Sequence, residues 1–380
     1  MELETYRFTP GNGWDREPDH NLDSPNTLVL FFGAPDYSLI EDAVSWLEGH
    51  FAKGVILGCS SAGEIFGDEL SLDCLVVAVL RFLETRLRVT CTELAQTDDS
   101  SRVGHQISSE LLDNDLQGIL ILSEGLGVNG SQLIEGINSA LPKHITVTGG
   151  LAGDDDRFER TWVWHDGLRS TKLICALGLY GSKISIGYGS KGGWDLLGHE
   201  REVTRSVDNI LYELDGQPAL DIYKRYLGER ASGLPATGLL FPLSMRDQEN
   251  SDDPKVRTIL AVDETEQSIT FAGDIPQGSF VRLMRANFDR LIDGAATAVE
   301  EINLSRYHGG PVLCIAISCV GRRLVLGERT EEEIEATLEG LPGETRQIGF
   351  YSYGELSPLS SGRCDLHNQT MTLTLIWEDE

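Results

Sequence analysis

The sequence predicts an α/β protein of two domains, with layered sheets and helices built from repeated βαβ-like units. Three observations predict it. A pattern of apolar strand, loop, amphipathic helix and strand recurs three times along the chain. Each copy closes in a cassette of glycines and a carboxylate: Gly58-Cys59-Ser60-Ser61-Ala62-Gly63-Glu64, then Gly149-Gly150-Leu151-Ala152-Gly153-Asp154, then Gly349-Phe350-Tyr351-Ser352-Tyr353-Gly354-Glu355. Finally, 380 residues at 41% hydrophobic are ample for a packed core and fall more naturally into two domains than one.

Residues 1–26 are rich in Pro, Gly and Asp and read as an N-terminal arm. The first domain spans 27–200. Its first unit, 27–64, opens on the strand Thr27-Leu28-Val29-Leu30-Phe31-Phe32. After a Gly/Pro loop, Ser38 and Glu41 stand in capping-box spacing, and Leu39, Ala43, Trp46 and Leu47 give the helix an apolar face. The second unit, 118–154, has Ile119-Leu120-Ile121-Leu122 as strand and Leu133, Ile134, Ile137 and Leu141 at helical spacing. The second domain spans 201–380 and begins after glycines crowded around Trp194. It offers a strand at 211–214, a helix opened by Pro218, and a polar segment at 246–255 that reads as an exposed loop. Strands at 256–262, 268–272 and 280–283 and an alanine-rich helix at 289–302 lead to the third unit, 311–355. There a strand at 312–317 precedes a long loop, a capping box of Thr330 and Glu333, and helical Ile334, Leu338 and Leu341.

A net charge of -29 argues against a nucleic-acid partner or an anionic membrane surface, because phosphate binding is dominated by Lys and Arg. The seven cysteines are scattered, odd in number and without a CxxC pair, so neither a disulfide framework nor a zinc ribbon is indicated, and a reducing cytosol fits best. No basic-then-apolar leader opens the chain, and apolar runs such as 75–80 are too short to span a bilayer.

Gly58-x4-Gly63 has the glycine spacing of a phosphate loop, yet Glu64 and Ile65 stand where Lys and Ser or Thr are required. A carboxylate there repels a triphosphate, which argues against nucleotide hydrolysis. Gly187-Tyr188-Gly189-Ser190-Lys191-Gly192 is a formal GxGxxG, but no sustained helical pattern follows, so it reads as a glycine-rich turn beside Trp194. Cys59 is the best-placed nucleophile, beside backbone N–H groups, although no base is legible and packing is the commoner role of a cysteine. Cys364 and His367 are three apart, which in a strand sends them to opposite faces. None of the eight histidines pairs at metal-ligand spacing; His367, close after the third cassette, is the candidate iron ligand. Arg322 and Arg323 fall in the long loop of the third unit and read as solvated, with a ligand carboxylate as the alternative partner.

Together with Tyr212-Glu213-Leu214-Asp215-Gly216-Gln217-Pro218-Ala219 and His367-Asn368-Gln369-Thr370, the three cassettes resemble the FIST family (F-box and intracellular signal transduction). The resemblance covers nearly the whole chain, the N-terminal half at about 27–200 and the C-terminal half at about 201–360. It implies a cytoplasmic sensory module of bacterial signalling that binds amino acids or similar metabolites and acts on a separate output protein such as a histidine kinase. It implies no resident cofactor, with a haem-binding nitric-oxide sensor as the alternative within the same family.

The expected ligand site is built from the cassettes: Cys59, Ser60, Gly63 and Glu64 from the first, Gly150, Gly153 and Asp154 from the second, and Tyr351, Tyr353, Gly354 and Glu355 from the third. Backbone N–H groups and Arg322 would hold a ligand carboxylate, while Glu64, Asp154 or Glu355 would face an ammonium. Two carboxylates about 6 Å apart repel by roughly 3 kcal/mol at an effective dielectric near 20, so a cation would relieve such a site. The other role open to these acids is capping helix N-termini, at about 0.3 to 1 kcal/mol each. A Cys59-dependent hydrolase or transferase is the enzymatic alternative.

Overall fold

A computed structural model of the chain describes residues 1–246 and 254–379. Most of the expected loop at 246–255 lies outside the described residues. The helix hydrogen bonds and strand pairings otherwise follow the apolar patterns, with helices Glu41–His50, Gly130–Ala140 and Thr330–Leu338 in the three units.

In every unit the two strands flanking the helix pair in parallel: Thr27–Gly33 with Val55–Ser60, Leu116–Ser123 with Thr146–Leu151, and Val312–Cys319 with Thr345–Ser352. Each pair is the centre of its own sheet. On the side of the first strand lies an antiparallel strand, Leu75–Arg81, Leu173–Tyr180 or Met371–Glu378, and beyond it a further antiparallel strand, Glu2–Thr9, Arg86–Glu93 or Ile184–Lys191. The repeat is therefore longer than the βαβ unit, running over 2–81, 86–180 and 184–378. The strand Glu2–Thr9 corrects the reading of 1–26 as an arm. Leu3, Thr5 and Tyr6 of Glu2–Thr9 are buried, and its backbone pairs with Leu75–Arg81 from Glu2 to Phe8.

The hairpin that follows each cassette does not return to its own sheet. Glu64–Phe66 and Glu69–Ser71 add to Thr345–Ser352 in the third sheet. Val163–His165 and Leu168–Ser170 add to Val55–Ser60 in the first, and Gly354–Pro358 and Cys364–His367 add to Thr146–Leu151 in the second. The exchange is cyclic, and the cassettes are the crossing points. Three backbone hydrogen bonds close the crossing: Ala62 N–H to Tyr351 O (2.8 Å), Gly153 N–H to Ser60 O (3.2 Å) and Tyr353 N–H to Leu151 O (3.1 Å).

The sheets are buried on both faces, which is why their central strands are near-continuous apolar runs. Leu28, Leu30 and Phe32 of the first sheet meet Leu120 and Leu122 of the second and Leu313, Ile315 and Ile317 of the third in one core. Val29 and Phe31, pointing the other way, pack under Val44 and Leu47 of the first helix. Glycine at the cassette is required by this closeness. Gly149 has φ +145°, and a Cβ there would lie 2.0 Å from Ile121 O.

A fourth sheet, built from strands between Asp195 and Arg285, is inserted in the third repeat between Ile184–Lys191 and helix Phe288–Glu300. It holds helix Ala219–Leu227 and a separate core of Leu211, Leu220, Tyr223, Ile269 and Phe271. The division at residue 200 consequently falls inside the strand Asp195–Val207, and residues 312–378 complete a body that begins at residue 2.

Four local readings change. The first helix starts at Glu41, because Asp36 rather than Ser38 caps the preceding turn Tyr37–Leu39, and Val44 takes the buried position expected of Leu39. Gly187 and Gly189 lie within a strand rather than a turn. A Cβ on Gly189 would stand 1.9 Å from Ala298 O, so its absence lets the helix Phe288–Glu300 lie against the sheet. The long loop of the third unit contains helix Val320–Leu326, and Arg322 is buried in it rather than solvated. Finally, Cys91 and Cys175, directly opposed on neighbouring strands, form a disulfide, so the odd, scattered set of cysteines hid one bridge.

Candidate functional site

Each cassette acid closes its own turn. Glu64, 1% exposed, accepts hydrogen bonds from Ser61 Oγ (2.5 Å) and from the Cys74 N–H (3.3 Å), and burial pushes its carboxyl up to about 7. Glu355, with no exposure, accepts from Ser352 Oγ (2.8 Å) and from the N–H and Oγ1 of Thr370 (3.2 and 3.0 Å), and burial pushes it up to about 8. Both acids lie at the start of an exchanged hairpin and three residues after their serine. The second cassette departs from this pattern: Ala152 replaces the serine, and an added loop, 154–161, precedes the hairpin. There Asp154 accepts from the N–H groups of Phe158, Glu159 and Arg160 (2.9, 2.9 and 2.7 Å) and from the Tyr353 hydroxyl.

The remaining cassette groups are similarly engaged. Ser60 accepts from the Trp162 N–H through Oγ (3.0 Å), Gly63 O accepts from the Tyr351 N–H (2.9 Å), and Gly354 pairs with Leu151. Gly150 faces Ile317 and Phe350 across the core. Tyr351 is buried and donates its hydroxyl to Glu333 (2.9 Å). Cys59 lies in the central core without exposure, and burial pushes its thiol well above the ordinary range, the opposite of what a nucleophile needs. Arg322 pairs with Glu333 at 2.5 Å, both without exposure, and donates to the carbonyls of Gly192, Gln369 and Leu291 (2.8 Å for Leu291). Glu333 therefore leaves its expected capping role to serve Arg322. Trp194 donates its indole N–H to Gln369 O (2.9 Å) and packs against Met284 and Leu291.

Open space lies beside the second cassette. Two clefts of about 510 and 470 Å³ flank the loop 154–161 and share Glu159, Arg160 and Thr171, forming one groove. The groove opens beyond the C-terminal ends of Thr27–Gly33, Leu116–Ser123 and Thr146–Leu151, where parallel strands present their loops to a ligand. Asp154 lies in its wall; Glu64 and Glu355 line neither cleft.

The groove's most distinctive group is Glu124, the residue immediately after Leu116–Ser123. Its Oε2 accepts from the N–H groups of Leu126 and Gly127 (2.9 and 3.0 Å), while Oε1 is buried with no partner among the described residues. The residue is 2% exposed, and burial, opposed by the N–H groups of Gly127, Leu126 and Val128, raises its carboxyl above the ordinary range. Arg160 and Lys172 stand on the rim of the same cleft, and among the described residues their side chains enter no salt bridge.

Two family models match almost the whole chain, the FIST N domain over residues 27–217 and the FIST C domain over 219–358. This chain belongs to the FIST family. An uncharacterized protein of Methanocaldococcus jannaschii is 21% identical to this FIST protein, covering 95% of this chain and 75% of its own. A crystal structure of cyanuric acid hydrolase from A. caulinodans superposes at 8% identity and a TM-score of 0.39, with 100% of this chain and 99% of that one covered. The boundary between the two family models falls in the short strand Gln217–Pro218 before helix Ala219–Leu227, inside the inserted domain.

Sequence reasoning missed Glu124, Arg160 and Lys172. Glu124 follows the second unit's first strand, and its acid in front of Gly125 and Gly127 was a legible signal of a strand-end turn. Arg160 gave none, because the loop that carries it interrupts the cassette pattern. His367 ends the hairpin strand Cys364–His367, and its Nε2 lies 3.0 Å from Ser357 O, which occupies a nitrogen that an axial haem ligand would need. Among the described residues, no group of three or more His, Cys, Asp or Glu side chains stands where it could hold a metal ion. Among the described residues, no helix is long and apolar enough to cross a membrane.

Proposed function

We propose that this FIST protein is a ligand-binding sensor whose ligand is an amino acid or a similar metabolite with an amino group, and that it passes its signal to a separate output protein such as a histidine kinase. One observation supports this above the others: Glu124 Oε1 is a buried acceptor without a partner, in the wall of a groove at the strand ends. A buried carboxylate is costly unless it is paired, and a ligand ammonium supplies both charge and donors. Arg160 and Lys172 on the rim suit the carboxylate of the same ligand, and Leu94 and Leu126 offer apolar contact to its side chain. The amino-acid site thus moves from the cassette acids, which are consumed in their own turns, to the strand end beside the second cassette.

Calorimetric titration with the amino acids tests this. Glu124→Gln removes a charge-assisted bond worth about 1.5 to 3 kcal/mol, so affinity should fall by roughly tenfold to over a hundredfold. The ammonium requires an ionised Glu124, whose carboxyl is raised by burial, so affinity in the wild type should also weaken as the pH is lowered toward and below the ordinary carboxylate range. Binding that is indifferent to both changes would refute the assignment.

A further inference from the structure

A separate cleft of about 680 Å³ opens between the inserted domain and the third repeat, lined by residues of 188–192, 254–256 and 365–368. Asn368 forms part of its wall. The side chain has no exposure, and neither Nδ2 nor Oδ1 has a partner among the described residues. An amide buried with both ends unmatched is rare, since buried polar groups are almost always hydrogen-bonded. Exchanging the amide oxygen and nitrogen changes nothing, because both positions lack a partner.

The surroundings narrow what would match it. Ser190, in the same wall, has an Oγ that also lacks a protein partner. Ser190 pairs with Thr372, four residues after Asn368, so both groups lie at one end of the third sheet. The charged side chains of the cleft are already matched, Lys191 with Glu301 and Lys255 with Asp365, each at 2.6 Å. Tyr188, Val256, Pro358 and Leu359 supply apolar wall. What remains unmet is one carbonyl-type acceptor, one amide donor and one hydroxyl, with no net charge to balance.

We propose that this cleft is a second ligand site, distinct from the amino-acid groove, for an uncharged ligand with a primary carboxamide on an apolar body. The ligand carbonyl accepts from Asn368 Nδ2, one ligand N–H donates to Asn368 Oδ1, and the other donates to Ser190 Oγ. Such cyclic amide pairing satisfies every group left open in the wall.

Saturation-transfer NMR on the full chain tests this, with benzamide as the probe. Methyl benzoate keeps the ring and carbonyl but has no N–H, and benzoate adds a charge. Benzamide should give saturation transfer, with both controls at least about tenfold weaker. Asn368→Leu should abolish the benzamide signal, Ser190→Ala should weaken it by about tenfold, and Glu124→Gln should leave it unchanged. Circular dichroism checks that Asn368→Leu folds, and Ser190→Ala carries the test if it does not. Equal signals from benzamide and methyl benzoate, a benzamide signal that survives the substitutions, or none from the wild type would each overturn the proposal. The last is the outcome expected if Asn368 is served by water alone.

Discussion

Glu355→Gln should make the protein more stable, and increasingly so as the pH rises. Its carboxyl is ordinarily half-ionised near 4.5 and, in the fold, near 8, because burial outweighs the hydrogen bonds from Ser352 and Thr370. Below pH 4.5 the folded and unfolded chains both carry the proton. Between about 4.5 and 8 the unfolded chain has lost it while the folded chain retains it, so folding stability falls as the pH rises and levels off above 8. At about 1.4 kcal/mol per pH unit, the interval from 4.5 to about 8 is a loss of about 5 kcal/mol. Glutamine has the shape of the neutral carboxyl. Its oxygen accepts from Thr370, and its amide donates to Ser352 Oγ, but it never ionises. Urea unfolding from pH 5 to 9 should show the variant gaining several kcal/mol over the wild type across this range, with an unchanged m-value. Glu64→Gln should do the same over the smaller interval from 4.5 to about 7, about 3 kcal/mol. A variant less stable than the wild type at pH 8, with the pH dependence intact, would mean that the acid caps its turn as a carboxylate and would refute the reasoning.

Arg322→Met should cost about 3 to 5 kcal/mol, because it strands a buried Glu333; Arg322→Met with Glu333→Leu should recover part of that loss in chemical unfolding. Cys59 should resist iodoacetamide in the native protein and react only on unfolding, as read by mass spectrometry. Cys59→Ala should cost about 1 to 2 kcal/mol and leave ligand affinity unchanged. Titration with haem should give no His367-dependent Soret band, since Ser357 O holds Nε2; a band lost in His367→Ala would restore the gas-sensor alternative.

The repeated units were legible because they are local. A buried strand and an amphipathic helix each carry their periodicity within about ten residues, and the three cassettes marked the strand ends they occupy. The acids at the cassettes were also visible, although not that each would be spent on its own turn, which depends on the serine and the hairpin folding back for Glu64 and Glu355 and on the loop 154–161 for Asp154. Four features were decided only by the tertiary structure. A three-residue hairpin strand such as Glu64–Phe66 looks the same whichever sheet it joins, so the cyclic exchange left no trace in sequence. The N-terminal residues became a strand because an edge at Leu75–Arg81 was open to them. The Cys91–Cys175 bridge spans 84 residues, and the value of Glu124 and Asn368 lies in the partners they lack. Periodicity is a property of neighbours along the chain, whereas satisfaction of a buried polar group depends on everything packed around it.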